Sequence, residues 1–206
     1  ILQEIATVRY ILLIIISGKY MNFINKKNEK EKIYTIKNTD YNGYLVNFLS
    51  ENNLILTLTN DLITFQVDSL ESFENKKLDT LLLEKFIYDL GYQILYLKDE
   101  KLGIKYFSLN DLIIINGDTF LFINPNKLFP LLNKKDVDIP ETRSYQYGVI
   151  KPDSIDKHSL FLPPELKELK EQKSKYIYYT CAFYSLAQIL LHIFNLDLEK
   201  LYYTNV

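Results

Sequence analysis

Residues 178–194 read YYTCAFYSLAQILLHIF, and this run limits the possible folds more than any other part of the chain. It is too long and too continuously apolar for an ordinary strand, and the pattern predicts one helix, apolar on nearly every side. Such a helix must be enclosed by other elements or sit in a membrane. Gln188 and His192 argue against the membrane, so the remaining residues are expected to wrap around a central buried helix. A chain of 206 residues, 48% hydrophobic and 14% aromatic, is long enough for one sizeable core, or a core plus a small satellite lobe.

The enclosing elements are legible. Residues 78–98 have apolar side chains at 82, 83, 86, 87, 90, 94 and 97, the spacing of one helical face. Asp79, Glu84, Lys85 and Asp89 are expected to point mostly elsewhere. Ahead of this helix, four short β-like segments at 32–36, 44–48, 54–58 and 62–67 are separated by the turn-rich stretches NTDYNG, SENN and TND. They predict a small antiparallel meander. After the helix, FSLNDLIIINGDTFLFINP at 107–125 sets Asn116-Gly117 between two apolar runs. Both residues tolerate positive φ, so 112–115 and 119–123 are expected to pair as a hairpin. Residues 126–162 are irregular, with prolines at 130, 140 and 152, and Pro163-Pro164 opens a charged helix over 165–175.

Charge and cysteine usage narrow the function classes. A net charge of -2 leaves no general basic surface for nucleic acid, and none is expected as a partner. The lone Cys181 excludes an internal disulfide and suits a reducing compartment. With only His158 and His192 beside it, a Cys/His zinc site is not expected. Residues 10–16 (YILLIII) fall short of the roughly 20 apolar residues a bilayer span needs. They read as a buried strand or helix, or as a signal-peptide core that lacks a clear cleavage site. The run NKKNEKEK at 25–32 reads as solvated, and Met21, the only methionine, lies just before it. Translation is therefore expected to start at Met21, with residues 1–20 outside the native protein.

This succession of elements resembles the protein kinase fold, and the spacing of several short motifs agrees. Kinases carry a catalytic loop HRDxxxxN, a hairpin and then DFG. Setting Asp111 at that asparagine puts Tyr106 at the catalytic aspartate, and Asn124-Pro125-Asn126 then falls at DFG. YLKDEKLGI at 96–104 resembles the lead into the catalytic loop, and Pro163-Pro164-Glu165 resembles the APE motif. AFYSLA at 182–187 resembles the DxWSxG start of a central helix, with Ser185 at its serine and Ala182 at its aspartate. YTIK at 34–37 resembles VAIK and makes Lys37 the candidate phosphate ligand, although the next strand is expected too soon for the helix that normally follows. The resemblance covers roughly residues 54–196.

It implies an α+β, kinase-like protein: an N-terminal extension at 1–31, a reduced antiparallel β lobe at 32–67, and a truncated, mainly helical lobe at 68–206. It implies lost catalysis as well. Kinases use the loop aspartate as base and hold Mg²⁺ with the loop asparagine and the DFG aspartate. A tyrosine, with a pKa near 10, cannot serve as that base at neutral pH. Asn124 offers a neutral amide, no GxGxxG exists, and only Asp111 remains as a metal-ligand candidate. The expected function is a pseudokinase without cofactor, acting as a scaffold or interaction module for another protein, with no membrane span. Its compartment is expected to be reducing and intracellular, cytoplasmic or virion-associated. A Lys-rich, Arg-poor composition (22 against 2) makes it similar to degenerate kinase-like proteins of large DNA viruses with AT-rich genomes. The alternative is an atypical serine/threonine kinase, or a fragment of one, with residual nucleotide binding.

Overall fold

The computed structural model describes residues 24–28, 30–39, 42–73, 77–133, 146–150, 155, 161–167 and 175–194. It is an α+β structure of small antiparallel sheets and, among the described residues, four helices. The first sheet has the order β1-β2-β4-β3, built from Ile24–Asn28 (β1), Ile33–Lys37 (β2), Ile55–Leu58 (β3) and Leu62–Gln66 (β4). Three of its strands sit where the β-rich segments predict them. The fourth expectation fails, because 44–48 lies inside a helix, α1, Gly43–Glu51. Short apolar runs do not choose between helix and strand by themselves. Here Leu45 and Leu49, one helical turn apart, are both buried against Tyr34, Ile36 and Phe65 of the sheet. Strand β1 takes the fourth place, inside the run expected to be solvated and outside the lobe. Its residues 25–27 do expose their side chains, while its backbone pairs with β2.

Strand β5, Leu70–Ser72, leads into α2, Thr80–Asp99, which starts where Asp79 accepts the Leu82 amide at 2.9 Å. Then come β6 (Leu102–Ile104), β7 (Leu112–Ile115) and β8 (Thr119–Phe122). The hairpin forms as the sequence predicts, with Asn116 at φ 53° and Gly117 at φ 85°. It is buried on both faces. Ile113, Ile115 and Leu121 pack toward the first sheet, while Leu112, Ile114, Phe120 and Phe122 pack toward α2. The two-residue alternation of a strand thus divides one hairpin between two cores.

Helix α2 also closes the free edge of that sheet, whose order is β5-β7-β8. Gln93 Nε2 donates to the Phe122 carbonyl and Gln93 Oε1 accepts the Phe122 amide, both at 2.9 Å. Asp89 accepts the Phe120 amide at 3.0 Å. Unpaired edge groups invite another strand, and here two helical side chains satisfy them. Asp89, expected to face away from the core, is instead 8% exposed with Lys85 on its carboxylate. Ile87, expected on the buried face, is 41% exposed.

The remaining described elements are β9 (Leu128–Pro130), β10 (Tyr147–Ile150), α3 (Pro164–Lys167), β11 (Lys175–Tyr178) and α4 (Cys181–Ile193). β6 pairs with β9 and β10 with β11. The Phe129 ring lies on the bare backbones of Gly103 and Gly148, where any Cβ would collide with it. Helix α4 begins later than expected, because Lys175–Tyr178 is drawn into β11. Nor is it enclosed on every side. Cys181, Ala182, Ser185, Leu186 and Ile189 are buried, but Ala187 and His192 are exposed. Of the charged helix expected over 165–175, only α3 and the first residue of β11 are described, and His158 also lies outside the described residues. Among the described residues, no helix is long and apolar enough to cross a membrane.

Candidate functional site

Three of the residues singled out by the kinase-like spacing, Tyr106, Asp111 and Asn124, converge on one place, the loop between β6 and β7 and the turn after β8. Ser108-Leu109-Asn110-Asp111 forms a reciprocal cap: a 3₁₀ turn, Leu109–Asp111, starts at Ser108, and the Asp111 carboxylate returns to the Ser108 amide. The second turn, Pro125–Lys127, starts at Asn124, whose side-chain oxygen accepts the Asn126 amide at 3.1 Å. The Ile123 amide donates to the Asp111 carbonyl at 3.0 Å and so ties the two turns together.

Asp111 is 5% exposed and both oxygens of its carboxylate are engaged. Oδ1 accepts Asn124 Nδ2 at 2.6 Å. Oδ2 accepts Lys127 Nζ at 2.7 Å, the Ser108 amide at 2.8 Å and the Ser108 hydroxyl at 2.9 Å. An ionised carboxylate has about four lone-pair sites. Four donors reach them, three on Oδ2 and one on Oδ1, so the carboxylate is committed to its own turn residues and to Lys127. Among the described residues, no group of three or more His, Cys, Asp or Glu side chains could hold a metal ion.

Tyr106 is 3% exposed, and the Lys127 ammonium sits 4.1 Å from its ring centroid. That geometry is a cation–π contact, favourable when the cation is desolvated. Lys105, 8% exposed, donates to the Asn126 carbonyl at 3.2 Å. Burial, and then the charge of Lys127, hold its ammonium below the usual lysine pKa. The site therefore packs two ammonium groups against one carboxylate and one aromatic face.

Helix α4 braces this site from below. Ser185 is fully buried, accepts the Phe107 amide at 3.3 Å and donates to the Phe161 carbonyl at 2.8 Å. Ala182, where the resemblance would have a bracing carboxylate, is plain core. One turn further along, Ser185 supplies a brace to the same loop. Pro163 and Pro164 start α3, whose Leu166 joins Tyr106 and Cys181 in a third buried cluster. Glu165 is exposed and its Oε1 accepts the Cys181 thiol at 3.3 Å.

Lys37 stands apart. It lies exposed at the end of β2, on a cleft of about 330 Å³ lined also by Asn25, Ile36, Thr39, Asn42, Pro125 and Asn126. Among the described residues no carboxylate pairs with it, and Thr39 Oγ1 is buried without a hydrogen-bond partner. Contrary to the expectation of too little room, α1 fits directly after Lys37. What is missing is an acid to meet the lysine, because the sole carboxylate of α1, Glu51, sits in its last turn.

Lys127, Ser108 and Lys105 were not singled out from the sequence. The spacing Ser-x-x-Asp at 108–111 is a capping signal that could have revealed Ser108. Lys127, sixteen positions from its partner, gives no local signal. No protein-family profile and no curated protein matches the chain.

Proposed function

We propose that this chain is a catalytically inactive, protein kinase-like module that works by binding another protein. The engagement of the Asp111 carboxylate carries the reading: the acid that remains at the metal-holding position is salt-bridged to Lys127 and hydrogen-bonded by Asn124 and Ser108. The burial of Tyr106 under Lys127 supports it, since no base stands where substrate would approach. The order of elements supports the kinase-like frame. An antiparallel sheet with an inserted helix precedes a long helix, a loop, a hairpin and an apolar helix. A buried thiol goes with a reducing compartment, cytoplasmic or virion-associated. The test is phosphate transfer from Mg²⁺- or Mn²⁺-ATP to a generic protein acceptor. No transfer is expected, and transfer abolished by Asp111→Asn would overturn the reading.

A second reading is favoured by the cleft at Lys37. With a free ammonium and the unpartnered Thr39 hydroxyl, it suits a phosphate-bearing ligand held without metal. A rise in melting temperature with ATP in EDTA, lost in Lys37→Ala, would establish that reading. An unchanged melting temperature would exclude it.

A further inference from the structure

Helix α2 has a second apolar stripe, opposite the one it buries. Of the twelve large hydrophobic side chains exposed among the described residues, five lie on this helix. Leu81 is 75% exposed, Tyr88 69%, Tyr92 54% and Leu95 47%. At about 100° per residue these four, with Glu84 and Asp99, fall within an arc of about 80° on the solvent side. From Leu81 to Leu95 the stripe runs about 21 Å. The Tyr88 and Tyr92 rings are stacked on one another, 6.3 Å apart and 10° from parallel, and Tyr44 of α1 leans against Tyr92. The rings are therefore mutually ordered before anything binds.

Charge selects the occupant. The stripe carries carboxylates and no lysine. Lys85, at its margin, is paired with Asp89, and Lys98 forms a 3.6 Å ion pair with Asp99, which leaves Glu84 as the uncompensated carboxylate of the stripe. Glu84 has no ion-pair partner among the described residues, and burial, followed by nearby groups that include Glu100 and Glu51, raises the pKa of the Tyr96 phenol. An anionic membrane or a nucleic acid would be repelled. A second copy packed antiparallel would bury Glu84 against Leu95 with no cation for that carboxylate, which is costly.

We propose that the outer face of α2 docks an amphipathic helical segment of a partner protein, with an apolar ridge over Leu81, Tyr88, Tyr92 and Leu95 and lysines or arginines beside Glu84 and Asp99. Basic side chains gain there twice, from the carboxylates and from the exposed tyrosine faces. The partner class rests on the reading of the chain as an interaction module.

The probe is a labelled amphipathic peptide of leucine and lysine, compared by fluorescence anisotropy with its leucine–glutamate counterpart. The basic peptide should bind and weaken with added salt, and the acidic one should not bind. Glu84→Lys with Asp99→Lys, and separately Leu81→Ser with Leu95→Ser, should each weaken binding about tenfold with the melting temperature unchanged. Glu31→Lys with Asp61→Lys, exposed elsewhere, should not weaken it by as much as twofold. Equal binding of both peptides, equal effects of all three double variants, no binding, or self-association through this face would each overturn the proposal. Peptide binding by a chain that also transferred phosphate would defeat the inactive-module reading and leave the docking face standing. An inactive chain that failed to bind would defeat the docking face alone.

Discussion

Lys127 ends the turn Pro125–Lys127, Lys37 lies on a cleft lined by Pro125 and Asn126 of the same turn, and the two have opposite uses. Lys127 is largely buried, salt-bridged to Asp111 at 2.7 Å and laid over the Tyr106 ring. Lys37 is exposed on a cleft, with no carboxylate partner among the described residues. A buried ammonium must spend its charge on the groups that enclose it, because an unpaired buried charge is expensive. An exposed one keeps its charge for whatever arrives. The first lysine belongs to folding and the second is available to a ligand.

The sharpest way to break this comparison is to remove each charge. Lys127→Ala strands the Asp111 carboxylate in a buried site, and should cost about 3 kcal/mol of unfolding free energy in urea titration. A cost below about 1 kcal/mol would show that the pair is not structural. Asp111→Asn keeps the shape but points an amide nitrogen at donors, with an expected loss of about 2 kcal/mol. If it instead created a Mg²⁺-dependent stabilisation, the closed description of the site would fail. Gly117→Val tests the hairpin that carries both turns. A Cβ there meets no atom within 4 Å, so the cost is backbone strain at φ 85°, about 1 kcal/mol or more.

Smaller still is a pH effect at Lys105. Its folded pKa lies below the ordinary 10.5, so between the two values the unfolded chain binds more protons. Its contribution must therefore raise stability as pH rises toward 10.5. Subtracting the stability-versus-pH curve of Lys105→Met from that of the wild type should reveal this upward slope in the alkaline range, and a downward slope would contradict it. The smallest effect belongs to Lys37→Ala. Without ligand it should move stability by no more than about 0.5 kcal/mol, as exposed substitutions do.

Parts of this were legible locally. Asn116-Gly117 announced the hairpin because positive φ at both positions is a property of those residues and of no distant partner. The period of α2 located Phe86, Leu90, Ile94 and Leu97 in the core. The same period misassigned Asp89 and Ile87, because a polar side chain that meets a strand edge is drawn inward regardless of its hydropathy. Residues 44–48 failed for a related reason: their apolar pattern fits either period, and only the sheet beneath them made Leu45 and Leu49 a buried pair.

The candidate site divides the same way. Its backbone was written into the sequence, since Ser108, Asp111 and Asn124 are capping residues whose side chains bond to groups within three positions, and Pro125 opens the second turn. What the site does with its charge was decided by the tertiary structure alone. Asp111 meets Asn124 across 13 residues and Lys127 across 16, and Phe107 meets Ser185 across 78. A sequence fixes which groups can ionise or donate. Folding decides how many donors surround a carboxylate, and here four of them hold Asp111.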